Sequence, residues 1–193
     1  MHIIKLLPPY IKETKKIIGA WILPKKVAIA SLLSALAAIL QAAGGLLPGI
    51  GLFISPLSTM PIMLSTMISF RYGLASYILT NVLLVLLEPS EIIIFAFTTG
   101  LLGLGMGWGI RTFNYQLSTL GVSSLILMVG ICIPLYILGY PILGPAISTK
   151  FDIKPIIIIF AFSILYSLLW LKLALYIIRL LHKLLSIKNN LIL

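Results

Sequence analysis

An all-α fold is the class this sequence predicts: a polytopic membrane protein of about six transmembrane helices, both termini cytoplasmic, with an interfacial helix ahead of the first span. Three observations carry that reading. Of 193 residues, 61% are hydrophobic and 9% charged, against roughly 25% charged in an average soluble domain. The mean hydropathy is +1.18, and the apolar residues come as long runs parted by short polar punctuation. The fourteen Lys and Arg residues are spread between those runs and toward the chain ends, not gathered into one block.

The elements follow in order. Residues 1–26 form a basic segment holding Lys5, Lys12, Lys15, Lys16, Lys25 and Lys26. Within it Leu7, Ile11, Ile18 and Ile22 make an apolar series, with Lys12, Lys15 and Lys16 largely elsewhere on a helical projection. That pattern predicts a helix lying on anionic cytoplasmic lipid, its start delayed by Pro8 and Pro9. The first span covers Val27 to Leu47, about 21 residues and ~31 Å of helix. "PGIGLFISP" then turns the chain. Leu57 to Phe70 and Leu74 to Leu87, parted by "RYG", are each about 14 residues or ~21 Å. Either Gly51 to Pro56 extends the first so that both cross, or the pair is a re-entrant hairpin; each option returns the chain to the same side. "EPSE" ends the pair and Ile92 to Ile110 is the next span. Leu117 to Leu143 follows, broken by Pro134 and Pro141, and Pro155 to Ile178 is the last. Residues 27–178 are thus a six-span domain between the basic segment 1–26 and a basic tail, 179–193.

Charge sets the orientation. With the N-terminus inside, Arg71 and Arg111 fall in cytoplasmic turns, only Lys150 and Lys154 of the fourteen cations lie outside, and Glu88, Glu91 and Asp152 face out. The inverted arrangement reverses nearly all of this and violates the positive-inside rule. The single cysteine, Cys132, sits in an apolar run and gives no disulfide framework.

Small residues are patterned. "GLLGLGMGWGIR" puts five glycines into the twelve residues Gly100 to Arg111, and each would cost roughly 1 kcal/mol against alanine unless its surroundings offset the loss. Gly103 and Gly107 share one face and Gly105 and Gly109 an adjacent one, with Trp108 in the interfacial aromatic belt and Arg111 as the anchor. In "VAIASLLSALAAILQAAGG" the residues Ala30, Ser34, Ala38 and Ala42 recur every four, with Ser31 and Ala35 beside them. Such faces admit another helix, from this chain or from a partner.

Chemistry is narrowly bounded. His2 and His182 lie near the termini, and no HExxH pair, intramembrane aspartate pair, GxSxG elbow or Walker loop occurs. No enzymatic activity, catalytic residue or metal site is therefore expected, and self-powered transport lacks the intramembrane ionisable residues it usually needs. Spread charge argues against a nucleic-acid partner and is better read as topology in the lipid bilayer. Polar residues gather toward the outer half: Ser55, Ser58 and Thr59; Asn81, read as the lone amide within a span; Glu88 and Glu91; Thr98 and Thr99; Tyr136 and Tyr140; Lys150, Asp152 and Lys154. Two readings stand for these residues: helix caps, interfacial tyrosines and solvated loop charges, or the lining of a pocket open to the outside, for which Ser58, Thr59, Asn81, Glu88, Thr98, Tyr136, Tyr140, Lys150 and Asp152 are the candidates.

A family resemblance emerges from these features. The cytoplasmic N-terminus, six spans in under 200 residues, "ASLLSALAA" in the first helix, the Pro-rich first outer loop and the lack of catalytic residues resemble a substrate-binding S component of the energy-coupling factor (ECF) transporters. "SPLSTMPIMLSTMISFRYGLASYILTNVLL" followed by "FAFTTGLLGLGMGWGIR" is most similar to the YybS-like branch, and the similarity covers Val27 to Arg111. The resemblance implies a multi-pass protein of the cell membrane that captures a small-molecule ligand, a vitamin or vitamin precursor, at the outer face and binds no cofactor directly. ATP would be used by partners, namely a transmembrane coupling protein and its cytosolic ATPase subunits. It also implies docking through the first helix at Ala30, Ser34 and Ala38, with Ala35 alongside; Gly103 and Gly107 add a second candidate docking face. Ala38→Leu is then expected to block docking and spare the fold. Ser34 departs from a strict alanine repeat, and the family's vitamin-specific pocket residues find no counterparts here. A non-catalytic assembly protein that binds other membrane proteins through its small-residue faces is the alternative.

Overall fold

The computed structural model describes residues 6–139 and 153–190, so the expected site residues Tyr140, Lys150 and Asp152 lie outside the described residues. The described chain is helical, with one isolated bridge between Leu6 and Tyr115. Helix α1 spans Pro9–Gly19 and is followed by six helices long and apolar enough to cross a membrane: α2 (Leu23–Leu46), α3 (Gly51–Ile68), α4 (Phe70–Leu87), α5 (Pro89–Thr112), α6 (Gln116–Tyr136) and α7 (Ile153–Asn190).

The hairpin left open by sequence is built from two 18-residue helices. Gly51 to Pro56 extends the first, which runs as a turn of α-helix (Gly51–Ile54), a 3-10 turn (Ser55–Ser58) and a further α segment (Thr59–Ile68). Eighteen residues reach ~27 Å, close to the hydrocarbon thickness. Ser69, extended at φ −164°, joins α3 to α4. Helix α5 is also composite, with a π-turn at Phe95–Thr99 ahead of the glycine-rich Gly100–Thr112. Pro134 does not break α6, which continues to Tyr136 and stops short of the expected Leu143; Gly139 follows at φ +65°. The last helix is longer than expected: 38 residues, ~57 Å, continuous through Ile178 into Asn190. Residues 179–190 are thus helical and continuous with the last span.

Helices α3 and α5 form the centre, the most buried of the spans. Against them stand α2 and α4 on one side and α6 on the other, with α7 beyond α6. The glycine stretch explains this placement. A Cβ at Gly103 would lie 2.7 Å from the Thr59 carbonyl oxygen and one at Gly107 2.8 Å from that of Met63, both on α3. On the adjacent face, Gly105 meets Ile126 and Gly109 meets Thr119, both on α6. Each glycine face therefore admits one neighbour of the same chain, and close backbone approach replaces the missing hydrophobic drive between helices in lipid.

The alanine stripe is spent in the same way. Ala30, Ser34 and Ala38 are buried, and Ser76 and Thr80 of α4 donate to the carbonyls of Ala30 and Ser34 at 3.1 Å each. A hydroxyl seam continues to α3 through Ser65 and Ser76, 2.6 Å apart. Ala35 is half-buried beside it. The outward faces carry Leu32, Ile39, Val85 and Leu165, exposed as lipid-facing residues are.

Helix α1, expected on the lipid surface, packs onto the bundle. Its face of Ile11, Thr14 and Ile18 is buried, and it packs on α7. Tyr10 donates to the Leu175 carbonyl at 3.0 Å and stacks on His182, which meets Glu13 at 3.1 Å. Ile22, the last of its apolar series, is exposed.

Candidate functional site

At the end of the bundle opposite the lysines, four helical segments bring polar side chains together. Gln41, fully buried on α2, donates from Nε2 to Glu91 Oε2 at 2.7 Å. Its own Oε1 accepts from Ser58 and from Thr99, both at 2.7 Å. One amide thus ties α2 to α3 and α5. The two irregular turns supply its partners: Ser58 ends the 3-10 turn of α3, and Thr99 ends the π-turn of α5. π-turns inside α-helices are frequent at functional positions, and the extra residue re-aims the side chains around it.

Two glycines make room for the carboxylates. A Cβ at Gly44 would stand 2.6 Å from Glu91 Oε1, and one at Gly45 2.7 Å from the Glu88 carboxyl carbon. Glu91 is 6% exposed and no described cation pairs with it; among the described residues the only ion pair is His182 with Glu13. Its Oε1 accepts no hydrogen bond from the described residues. A buried carboxylate with one free oxygen is an acceptor suited to a cationic or hydrogen-bond-donating group. Among the described residues no cluster of His, Cys, Asp and Glu has the make-up of a metal centre.

The expected pocket residues divide. Ser58 enters the network. Thr59 is fully buried one residue on, and its hydroxyl has no partner among the described residues. Glu88 is half-buried at the margin, accepting from Ser90 at 2.6 Å. Asn81 donates to Tyr77, one turn back on its own helix, at 2.9 Å, so its amide is satisfied locally. Thr98 likewise donates to Ile94 of its own helix. Tyr136 is half-buried at the end of α6. As for the expected docking residues, Ala30 and Ser34 meet α4, Ala38 is fully buried, and Gly103 and Gly107 pack against α3. Ala35, half-buried, is the expected docking residue that keeps some exposed surface.

Asn81 is not the lone amide of the spans, since Gln41 lies inside the first. The signal for Gln41 was its position inside the first apolar run, one turn before the Gly44–Gly45 pair. An amide in a span needs a partner, and glycines beside it mark where another group comes close.

The fold defines a polytopic all-α membrane protein with a buried polar network at one end. No protein-family model, curated protein or solved structure matches the chain.

Proposed function

We propose that this chain is the solute-binding component of an importer of the cell membrane, of the ECF S type. It is not an enzyme: it captures a small vitamin-like solute at the outer face and takes its energy from a separate coupling protein with cytosolic ATPases. The observation that carries this reading is Glu91, buried without a cation and held by Gln41, with its second oxygen free. A buried carboxylate at the end of a span, with no described cation beside it, favours a ligand that brings positive charge or N–H donors. The solute it suits carries a positive charge or an array of N–H donors. Because the alanine and glycine faces are used within the chain, docking would rely on other surfaces.

The test is purification in mild detergent from native membranes, with mass spectrometry of retained proteins and small molecules, for the wild type and Glu91→Gln. The reading expects ATPase and coupling subunits with both proteins, and a metabolite with the wild type that Glu91→Gln loses. Recovery of a different membrane assembly, with no ATPase and no metabolite, overturns it in favour of an assembly protein.

A further inference from the structure

The opposite, basic end of the bundle holds a cavity of roughly 750 Å³ whose lining includes Lys15, Lys26, Arg71 and Arg111. The four come from α1, α2, α4 and α5, so the fold, not a sequence run, brings them together. No carboxylate is among the lining residues, and Glu13, the described acid of this end, is engaged by His182. Positive charge on one side of a membrane sets orientation. It does not require four cations to converge on one cavity, where their mutual repulsion is a cost.

Three of the cations are positioned by backbone carbonyls. Arg111 donates from Nη1 to Met67 and Ile68 at 3.0 and 2.8 Å, closing the C-terminal end of α3. Lys15 donates to the Arg111 carbonyl and Lys26 to that of Gly19, both at 2.9 Å. Arg71 is exposed and donates to no described residue. Burial first, and then the nearby Arg111 and Lys12 charges, pull the Lys15 amine below its ordinary pKa. The N-terminus of α4 opens on the same cavity through Ser69, Arg71 and Tyr72, and no side chain caps it. Its free N–H groups add an anion-favouring dipole.

We propose that this cavity binds a phosphate anion, either the phosphodiester of an inner-leaflet lipid or a soluble phosphate. Arg71 supplies a planar pair of donors, and Lys15, Lys26 and Arg111 supply fixed positive charge. Basic pockets between spans on the cytoplasmic side take lipid headgroups in this manner. The site is independent of any solute bound near Glu91.

The test is the melting temperature of the full-length protein in neutral detergent, titrated separately with phosphatidylglycerol, phosphatidylcholine and inorganic phosphate. Three proteins are compared: wild type, Arg71→Gln, and Lys16→Gln, whose exposed lysine lies outside the cavity lining. Arg71→Gln breaks no hydrogen bond within the protein, so it reports on the ligand and not on folding. Stabilisation by phosphatidylglycerol alone assigns a lipid phosphodiester; stabilisation by inorganic phosphate as well assigns a soluble phosphate. In either case Arg71→Gln should weaken apparent affinity about tenfold or more, and Lys16→Gln should not. Equal losses in both variants, or no stabilisation of the wild type beyond phosphatidylcholine, overturns the proposal.

Discussion

Replacing Gln41 with leucine tests the polar network directly. Leucine nearly matches glutamine in volume but removes both ends of the amide, stranding the Glu91 carboxylate and the hydroxyls of Ser58 and Thr99. In water-based scales the bond to the carboxylate contributes ~1.5–3 kcal/mol and each hydroxyl bond ~0.5–1.5. Bonds between helices in a bilayer average only ~0.6 kcal/mol, since the unfolded chain also finds partners there. Three such bonds give a floor of ~2 kcal/mol, and the stranded charge raises the expected loss to ~3–5 kcal/mol. Glu91→Gln keeps an acceptor for Gln41 and should cost ~1 kcal/mol or less. The assay is equilibrium unfolding in mixed micelles for wild type, both single variants and the double variant. A Gln41→Leu loss under ~1 kcal/mol, with no coupling to position 91, would falsify the claim that this amide ties the three spans together.

Three further outcomes follow from the same packing. The sequence alone predicts that Ala38→Leu spares the fold; because Ala38 is fully buried, it should instead destabilise by ~1–3 kcal/mol, measured by the same unfolding assay. Gly121, within α6, has open space where a Cβ would stand, so Gly121→Ala should stabilise by ~0.5–1 kcal/mol; a loss would mean that the position meets a neighbour after all. Lys15 gives a pH dependence. Its folded pKa lies below the ordinary 10.5, so between the two values the unfolded chain holds more protons and stability rises with pH, levelling off near 10.5. Melting temperatures taken across that window should show the rise in wild type and a smaller one in Lys15→Met.

Much of the architecture was legible because lipid imposes a coarse code. Apolar runs near twenty residues give spans, and the small-residue faces of Ala30 to Ala38 and Gly103 to Gly109 mark close contacts. What a face touches is another matter: a stripe of small residues looks the same whether α4 or a second protein fills it. The 3-10 turn at Ser55–Ser58 and the π-turn at Phe95–Thr99 have no local signature beyond Pro56, since tertiary contacts select them. The site suffered from the same gap. Asn81 looked exceptional as an amide in a span, yet Tyr77 one turn away satisfies it, whereas Gln41 in its alanine run reaches three other segments. Glu91 reads as a loop residue beside Pro89, and only the notch at Gly44 reveals that it turns inward.

The π-turn also sets a phase relation along α5. An extra residue in a helical turn shifts everything beyond it by about 100° relative to everything before, at 3.6 residues per turn. Upstream of the turn lies Glu91, keyed to Gln41; downstream lie Gly103 and Gly107, keyed to α3. The two halves of this one helix are therefore indexed to different neighbours, and the offset at Phe95–Thr99 lets both be in register at once. Deleting a single residue there would restore regular pitch while rotating one half against the other, so that either the carboxylate leaves its amide or the glycine face turns away from α3.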